Sequence, residues 1–458
     1  MSTAQAKRRV IPPVLDTLLL LSIGVFYLLR ALTGWTLLWP RAIVSGVLLV
    51  LFLPRISSSF RIPAWIFTLC GAVLLIWKRA PAQVWAEGLN SMLQTVAIIV
   101  VMQTLSIAIG TGNYSRAISD ALRRYARNQG VLYFLVELFA HLLCSILNIG
   151  EVIVLLSSFD QKLTDQIDDY PHFVSSAISR GHSTAFLWAP GSLTVLMTLQ
   201  IFDMEWSQYM LPAIGLAVLG MAIGGATQYP RLRTYPMAKD KQAPAPGSFR
   251  KIAVLALVIL VIVCSVSFLE PLLPNVSGGE RLILAVAVVS AVWLLSQCRI
   301  PNLGGEVKKF AVDTLPDSGS LSAFFISMGL FSHALQYVGL DAVLNRAAAP
   351  LNALPVPLLL AVIPLMIVAF SLIGVHPMVS LAVLGPLLMQ LVGGATALQL
   401  SLATALGCCL SYMVSPFAGL VLLLSHLLHL PPREIALRQN FRFSMLYYAV
   451  ATVAICLF

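Results

Sequence analysis

Charge is what this chain has least of. Lys, Arg, Asp and Glu make up 10% of its 458 residues against 59% hydrophobic, and the mean hydropathy is +0.88. So little polar surface excludes a soluble globular domain, and the repeated apolar runs are long enough to cross a bilayer. The seven cysteines (Cys70, Cys144, Cys264, Cys298, Cys408, Cys409 and Cys456) all sit in apolar runs without metal-ligand spacing, and read as small reduced residues. Neither a nucleophile elbow nor an HExxH motif is present, which removes two common hydrolase signatures. No basic stretch is dense enough for nucleic acid. The formal net charge of +10 comes from 29 basic residues scattered between apolar runs, which is a topology signal. Lys7, Arg8 and Arg9 precede a long apolar run with no small-residue cleavage site, so an uncleaved first span is expected.

What is present is organised around Phe370 to Pro386, FSLIGVHPMVSLAVLGP. Gly374, His376 and Pro377 interrupt this apolar stretch at its middle, where a continuous helix cannot form without losing backbone hydrogen bonds. Backbone freed at membrane depth must face protein or a wet cavity, and such breaks are where transporters bind solutes and ions.

Apolar length and flanking charge place unbroken spans at about 14–32, 42–53, 62–77, 92–110, 211–227, 252–269, 281–296, 321–337 and 443–458. Two further spans, 174–201 and 398–427, carry Gly and Pro in the middle and read as broken. Segments 132–158 and 356–391 read as re-entrant hairpins. The polar stretch 228–249 is the one long connection, expected as a cytoplasmic linker between a first repeat (1–227) and a second (250–458). Landmarks recur across it: Gly112 and Gly339 differ by 227 residues, Gly150 and Gly374 by 224, and Gly181 with Gly407 and Pro190 with Pro416 by 226. Internal duplication of this kind marks many secondary transporters.

With the amino terminus in the cytoplasm and the carboxyl terminus outside, cytoplasmic segments collect 23 of the basic residues, Arg180 among them, and the opposite side 6. That split requires each hairpin to return to its own side and each broken span to cross, so the repeats are expected to be inverted. The fold class is therefore an all-α polytopic membrane protein of about 11 transmembrane helices plus two re-entrant hairpins.

Two hairpin tips and two breaks would then meet near the midplane. The candidate site residues are Asn148, Gly150 and Glu151 at the first tip, and Pro190, Gly191, Ser192 and Thr194 at the first break. Gly374, His376, Pro377 and Ser380 stand at the second tip, and Ser415 and Pro416 at the second break. Half-helix amino termini suit an anion and half-helix carbonyl ends suit a cation, so the site fits an anionic solute together with Na⁺ or H⁺. Glu151 and His376 are the proton-coupling candidates, since a carboxylate inside the membrane costs several kcal/mol unless it is paired or protonated. Glu137 and His141, one helical turn apart, are expected to pair with each other. The cluster Arg116, Arg123, Arg124 and Arg127 suits anionic lipid headgroups. No metal or cofactor is expected.

The pattern resembles the ion transporter superfamily, which includes the divalent anion/sodium symporters and the arsenite permeases. The resemblance spans nearly the whole chain as architecture. Locally it rests on Gly407 to Leu428, similar to the second broken span, and on Phe325 to Pro350, similar to the helix before the second hairpin. It implies a homodimer in which a hairpin-bearing domain moves against a scaffold. The tips lack the Ser-Asn-Thr signature of the symporters, reading Asn148-Ile149-Gly150 and Val375-His376-Pro377, and neither broken span holds the acidic residue of the permeases. The resemblance therefore implies fold and mechanism without naming a solute. The expectation is an ion-coupled transporter of the bacterial inner membrane, not an enzyme. The alternatives are an exporter of an oxyanion or lipid-linked solute, or an intramembrane enzyme.

Overall fold

Inside hydrocarbon every backbone polar group must find its partner within the protein, and this chain meets that demand with helices. The computed structural model describes residues 13–56, 58–112, 114–238, 247–296, 303–339, 341–391 and 394–458, and no strand occurs among them. Lys7, Arg8, Arg9, Lys239, Lys241, Arg299 and Cys298 lie outside the described residues.

The helices fall into two compact units, residues 1–111 with 264–349 (unit 1) and residues 112–263 with 350–458 (unit 2). Unit 1 opens with α1 (Pro13–Thr33), α2 (Leu38–Phe52), α3 (Ser58–Trp77), α4 (Ala82–Asn90), α5 (Leu93–Gln103) and α6 (Leu105–Gly112). Unit 2 follows with α7 (Tyr114–Tyr125), α8 (Gln129–Leu147), α9 (Glu151–Leu156), α10 (Tyr170–Ala185), α11 (Leu193–Ile201) and α12 (Trp206–Leu232). Within α13 (Ser248–Leu272) the chain returns to unit 1, which adds α14 (Gly278–Ser296) and α15 (Gly319–Val338). It leaves again within α16 (Asp341–Asn352). Unit 2 is completed by α17 (Val356–Leu372), α18 (Pro377–Leu388), α19 (Ala397–Val414), α20 (Gly419–Leu428) and α21 (Phe441–Ile455).

In unit 1, α3 lies along α15 so closely that a Cβ on Gly71 would stand 3.1 Å from the Phe331 Cα, and Phe67 stacks on Phe331 beside it. Two ion pairs tie its helices, Arg55 to Asp16 and Arg30 to Glu280, each at 3.0 Å. The opposite face of α3 exposes Ile62, Trp65, Ile66, Leu69, Val73 and Ile76. An apolar stripe turned outward, with the carboxylates of Asp16 and Glu280 buried and each paired to an arginine, is the arrangement expected in lipid.

The helix starts repeat along the chain. Tyr114, Gln129, Tyr170 and Leu193 open α7, α8, α10 and α11, and Asp341, Val356, Ala397 and Gly419 open α16, α17, α19 and α20, each 226 or 227 residues later. The packing repeats too, with α8 along α10 and α17 along α19. Both crossings are made possible by a glycine. A Cβ on Gly181 would come within 2.1 Å of the Glu137 carbonyl oxygen, and one on Gly407 within 2.8 Å of the Pro364 Cα.

The protein is a multi-pass membrane protein. Among the described residues ten helical stretches are long and apolar enough to cross a bilayer, or eleven if Val343–Asn352 and Val356–Leu372, bent by 118°, form one span. The membership differs from the sequence expectation in three places. α8, expected as one arm of a hairpin, has 19 residues and about 28 Å of length, enough to cross by itself. α10 and α11 fall short because the break at 186–192 divides them, and α21 stops at 15 residues. Arg180 is also corrected. It lies ten residues into α10 and is buried, so it is no loop charge and carries no weight in the orientation split.

Candidate functional site

Every candidate residue lies in unit 2. At the first tip α8 ends on Asn148, whose φ of 53° turns the chain; asparagine tolerates this better than other residues with a Cβ. Gly150 is exposed, and the next residue, Glu151, opens α9 with its side chain wholly buried. At the second tip Gly374 takes φ 95°, a conformation that any larger residue would resist, and the Phe417 ring lies against it. His376 caps α18 by accepting the Met378 amide on Nδ1 at 3.3 Å, with Pro377 in the first helical position. Ser380 donates back to the His376 carbonyl at 3.4 Å.

The breaks are closed by hydroxyls. Ser192 caps α11, donates to the Phe186 carbonyl at 3.2 Å and meets the Thr194 hydroxyl at 2.9 Å. Pro190 is buried and Gly191 half-buried beside it. Ser415 donates to the Ser371 carbonyl at 2.7 Å and accepts the Phe417 amide at 3.3 Å, which fastens the second break to the end of α17; Pro416 follows, half-buried. Ser192, Thr194 and Ser415 thus use their hydroxyls on the fold itself.

The two sets meet through residues that the sequence reading did not single out. Glu151 Oε1 and His182 Nδ1 are 2.6 Å apart, both side chains out of contact with solvent, and the Cys144 thiol donates to the His182 carbonyl at 3.6 Å. His182 stands edge-on to Phe186 and Tyr412. Phe186 and Tyr412 stack with centroids 4.6 Å apart, and His376 stands edge-on to Tyr412 at 5.8 Å. Glu151, His182, Tyr412 and His376 therefore form a row that joins the first tip to the second. The partner of Glu151 is His182 and not His376, which is taken up by its cap. The expected pairing of Glu137 with His141 is corrected as well. His141 Nδ1 meets the Thr184 hydroxyl at 3.0 Å and its Nε2 accepts the Trp188 indole at 2.9 Å, so both ring nitrogens are used across the α8–α10 crossing.

Around this row several buried polar atoms have no hydrogen-bond partner in the protein: Glu151 Oε2, the hydroxyls of Ser183, Ser371 and Ser411, and the Tyr412 phenol. Each would cost about 1–3 kcal/mol if left unmet, so together they mark a place for a polar guest or water. Cys144, Glu151 and His182 also bring one donor atom each within 4.8 Å of one another, three buried ligands of mixed hardness. Phe186 and Tyr412 are within reach of the repeat, since the 226-residue offset that relates Gly181 to Gly407 also relates them, whereas the counterpart of His182 is Cys408.

No family model matches the chain, and no curated protein matches its sequence. Solved structures similar to it include two membrane transport proteins. The YdaH transporter of Alcanivorax borkumensis aligns with a TM-score of 0.57 at 16% identity, over 79% of this chain and 85% of that one. MtrF of Neisseria gonorrhoeae, one of a class of antimetabolite efflux pumps, aligns with a TM-score of 0.58 at 13% identity, over 86% of this chain and 94% of that one. At these identities the likeness is one of fold: this chain shares the helical architecture of two membrane transport proteins.

Proposed function

We infer that the protein is an ion-coupled secondary transporter of a small anionic solute, working by elevator-type alternating access as in the ion transporter superfamily. The observation that carries this reading is the row Glu151–His182–Tyr412–His376, which links two tips and two breaks inside one compact unit and is surrounded by unmet polar atoms. A transporter needs a polar site at membrane depth on a body that can carry it, and the gathering of these residues in unit 2 supports that reading. The capped starts of α11 and α18 favour an anionic group. Protons suit the coupling better than Na⁺. The atoms facing Glu151 are an imidazole nitrogen and a thiol, whereas a hard cation takes a shell of oxygens. On the same reading the protein is a homodimer in a bacterial inner membrane, with a cytoplasmic amino terminus and lipid around unit 1. The likeness to MtrF favours export as the direction.

The test is flux into proteoliposomes holding the purified protein, with candidate carboxylates and oxyanions and an imposed pH or Na⁺ gradient. Uptake or release that follows the pH gradient supports the reading. Chemical conversion of the solute without any gradient would make the protein an intramembrane enzyme instead.

A further inference from the structure

A polar cavity lies in unit 2, lined by none of the residues of the Glu151 row. It has a volume of about 400 Å³ and is lined by side chains of α8, α10, α12 and the turn at 434–439. At its depth is Arg180, 2% exposed, whose guanidinium lies against the Phe443 ring at 4.4 Å and the Tyr133 ring at 5.8 Å. Arg180 Nε donates to Asn440 Oδ1 at 3.3 Å and one terminal nitrogen donates to the Gln439 carbonyl at 3.2 Å. The other terminal nitrogen is buried without a partner, and among the described residues Arg180 makes no ion pair.

The neighbouring groups are fixed as donors. Gln439 accepts the Ser175 hydroxyl on Oε1 at 2.8 Å, which sets its amide so that the buried Nε2, also unpartnered, is the end left over. Asn440 donates Nδ2 to the Ile435 carbonyl at 2.9 Å, which turns its oxygen onto Arg180 and away from the cavity's needs. The Tyr133 hydroxyl is buried and unmet too. Three unmet groups able to donate, one of them permanently cationic, thus share one cavity. Arg231 adds positive charge to the lining, whereas Arg438 is paired with Glu434 at 2.8 Å; of the two acids that line the cavity, Asp168 and Asp169, the second is engaged by His172 at 2.7 Å. Glu137, one turn beyond Tyr133 on α8, is a buried carboxylate whose charge attracts that of Arg180 without a direct ion pair, so the open edge of the guanidinium is left uncovered. A buried guanidinium with an open edge is the protein group best matched to a carboxylate, phosphate or sulfate.

We propose that this cavity binds an oxyanion group, held by Arg180, Gln439 and Tyr133. Its source is either a free solute or the headgroup of an anionic lipid, and the proposal stands whether or not the Glu151 row transports anything.

The test is thermal unfolding of the purified full-length protein in neutral detergent, comparing sodium phosphate or sulfate with sodium chloride at equal ionic strength. A second arm compares nanodiscs of phosphatidylglycerol with nanodiscs of phosphatidylcholine. The expected result is a saturable rise in midpoint, roughly 3 °C, with the oxyanion salts or with the anionic lipid. The first identifies a free anion and the second a headgroup. Gln439→Glu keeps the Ser175 contact but sets a negative charge where the donor was, and should remove the rise. Arg180→Gln should do the same, and if it does not fold then Gln439→Glu decides. A rise of equal size in Gln439→Glu, or none in the unaltered protein in either arm, overturns the proposal.

Discussion

Phe186 and Tyr412 stack face to face, 4.6 Å apart and 19° from parallel, although 226 residues separate them. Each stands at the carboxyl end of the first half of its own broken span, at matching positions of a sequence that repeats with that offset. Two copies of one motif therefore touch through their equivalent residues. Both His182 and His376 meet the Tyr412 ring of this contact edge-on.

The Tyr412 phenol is buried and unmet, so stability and function should separate on its removal. Tyr412→Phe keeps the stack and deletes an unsatisfied group, and unfolding should be unchanged or up to about 1 kcal/mol harder. Tyr412→Ala should cost about 3–5 kcal/mol through the cavity it leaves. If Tyr412→Phe unfolds as easily as Tyr412→Ala, the hydroxyl holds the fold through a bond and is not a waiting ligand. A fall in flux in Tyr412→Phe without loss of stability places the phenol on the solute.

Gly181 and Gly407 make the matched helix crossings of unit 2. A methyl group at Gly181 would meet backbone at 2.1 Å, and at Gly407 it would meet backbone at 2.8 Å. Neither neighbour can swing aside as a side chain would. Gly181→Ala should therefore cost about 3 kcal/mol or more, and Gly407→Ala less. Denaturation of the two variants side by side checks the order. Equal, small losses would mean that the crossings are loose.

The crossings also show which parts of this protein are legible in its sequence. Gly181, Gly407, Pro190 and Pro416 stand out because glycine and proline act on the backbone directly, and their spacing located the broken helices to within a few residues. Gly374 and Pro377 mark the second tip for the same reason. Side-chain partners across helices leave no such trace. His182 reaches Glu151 only because α8 and α9 fold beside α10, and Arg180 passed for a loop charge because nothing local shows that ten helical residues precede it. The two amphipathic helices α7 and α16 had a visible landmark, Gly112 and Gly339. Their helical form depended on packing that apolar length does not report.

Glu151 and His182 share one short buried hydrogen bond, and on the proposed function the proton between them is the coupling element. Glu151→Gln should lower flux driven by a pH gradient roughly tenfold or more while leaving the protein folded, and His182→Gln should do the same. The double variant should lose little beyond either single one, because both remove one unit. Losses that simply multiply would mean that the two side chains act independently. A Glu151→Gln variant with unaltered dependence on the pH gradient would remove Glu151 from the coupling.

A different pair gives a pH signature at the edge of unit 2. His172, on the first turn of α10, lies 2.7 Å from Asp169 and 3.0 Å from Glu434. Partial burial pulls the His172 pKa down, but hydrogen bonds and charge from the two carboxylates outweigh it and hold the pKa above the ordinary histidine value. Glu434 is held below the usual carboxylate range, first by the hydrogen bond from His172 and then, against some desolvation, by the charges of His172 and Arg438. The raised histidine stabilises the fold fully below about pH 6.5 and loses that contribution as pH climbs through its folded value. The depressed carboxylate contributes fully above about pH 4.3 and loses that as pH falls through its own. Both contributions are whole only between those limits. The unfolding midpoint of the unaltered protein should therefore exceed that of His172→Gln most at about pH 5–6, and the gap should narrow toward pH 8. Thermal unfolding of both proteins across that range measures it, and a gap that stays constant from pH 5 to 8 would show that His172 holds its neighbours without its charge.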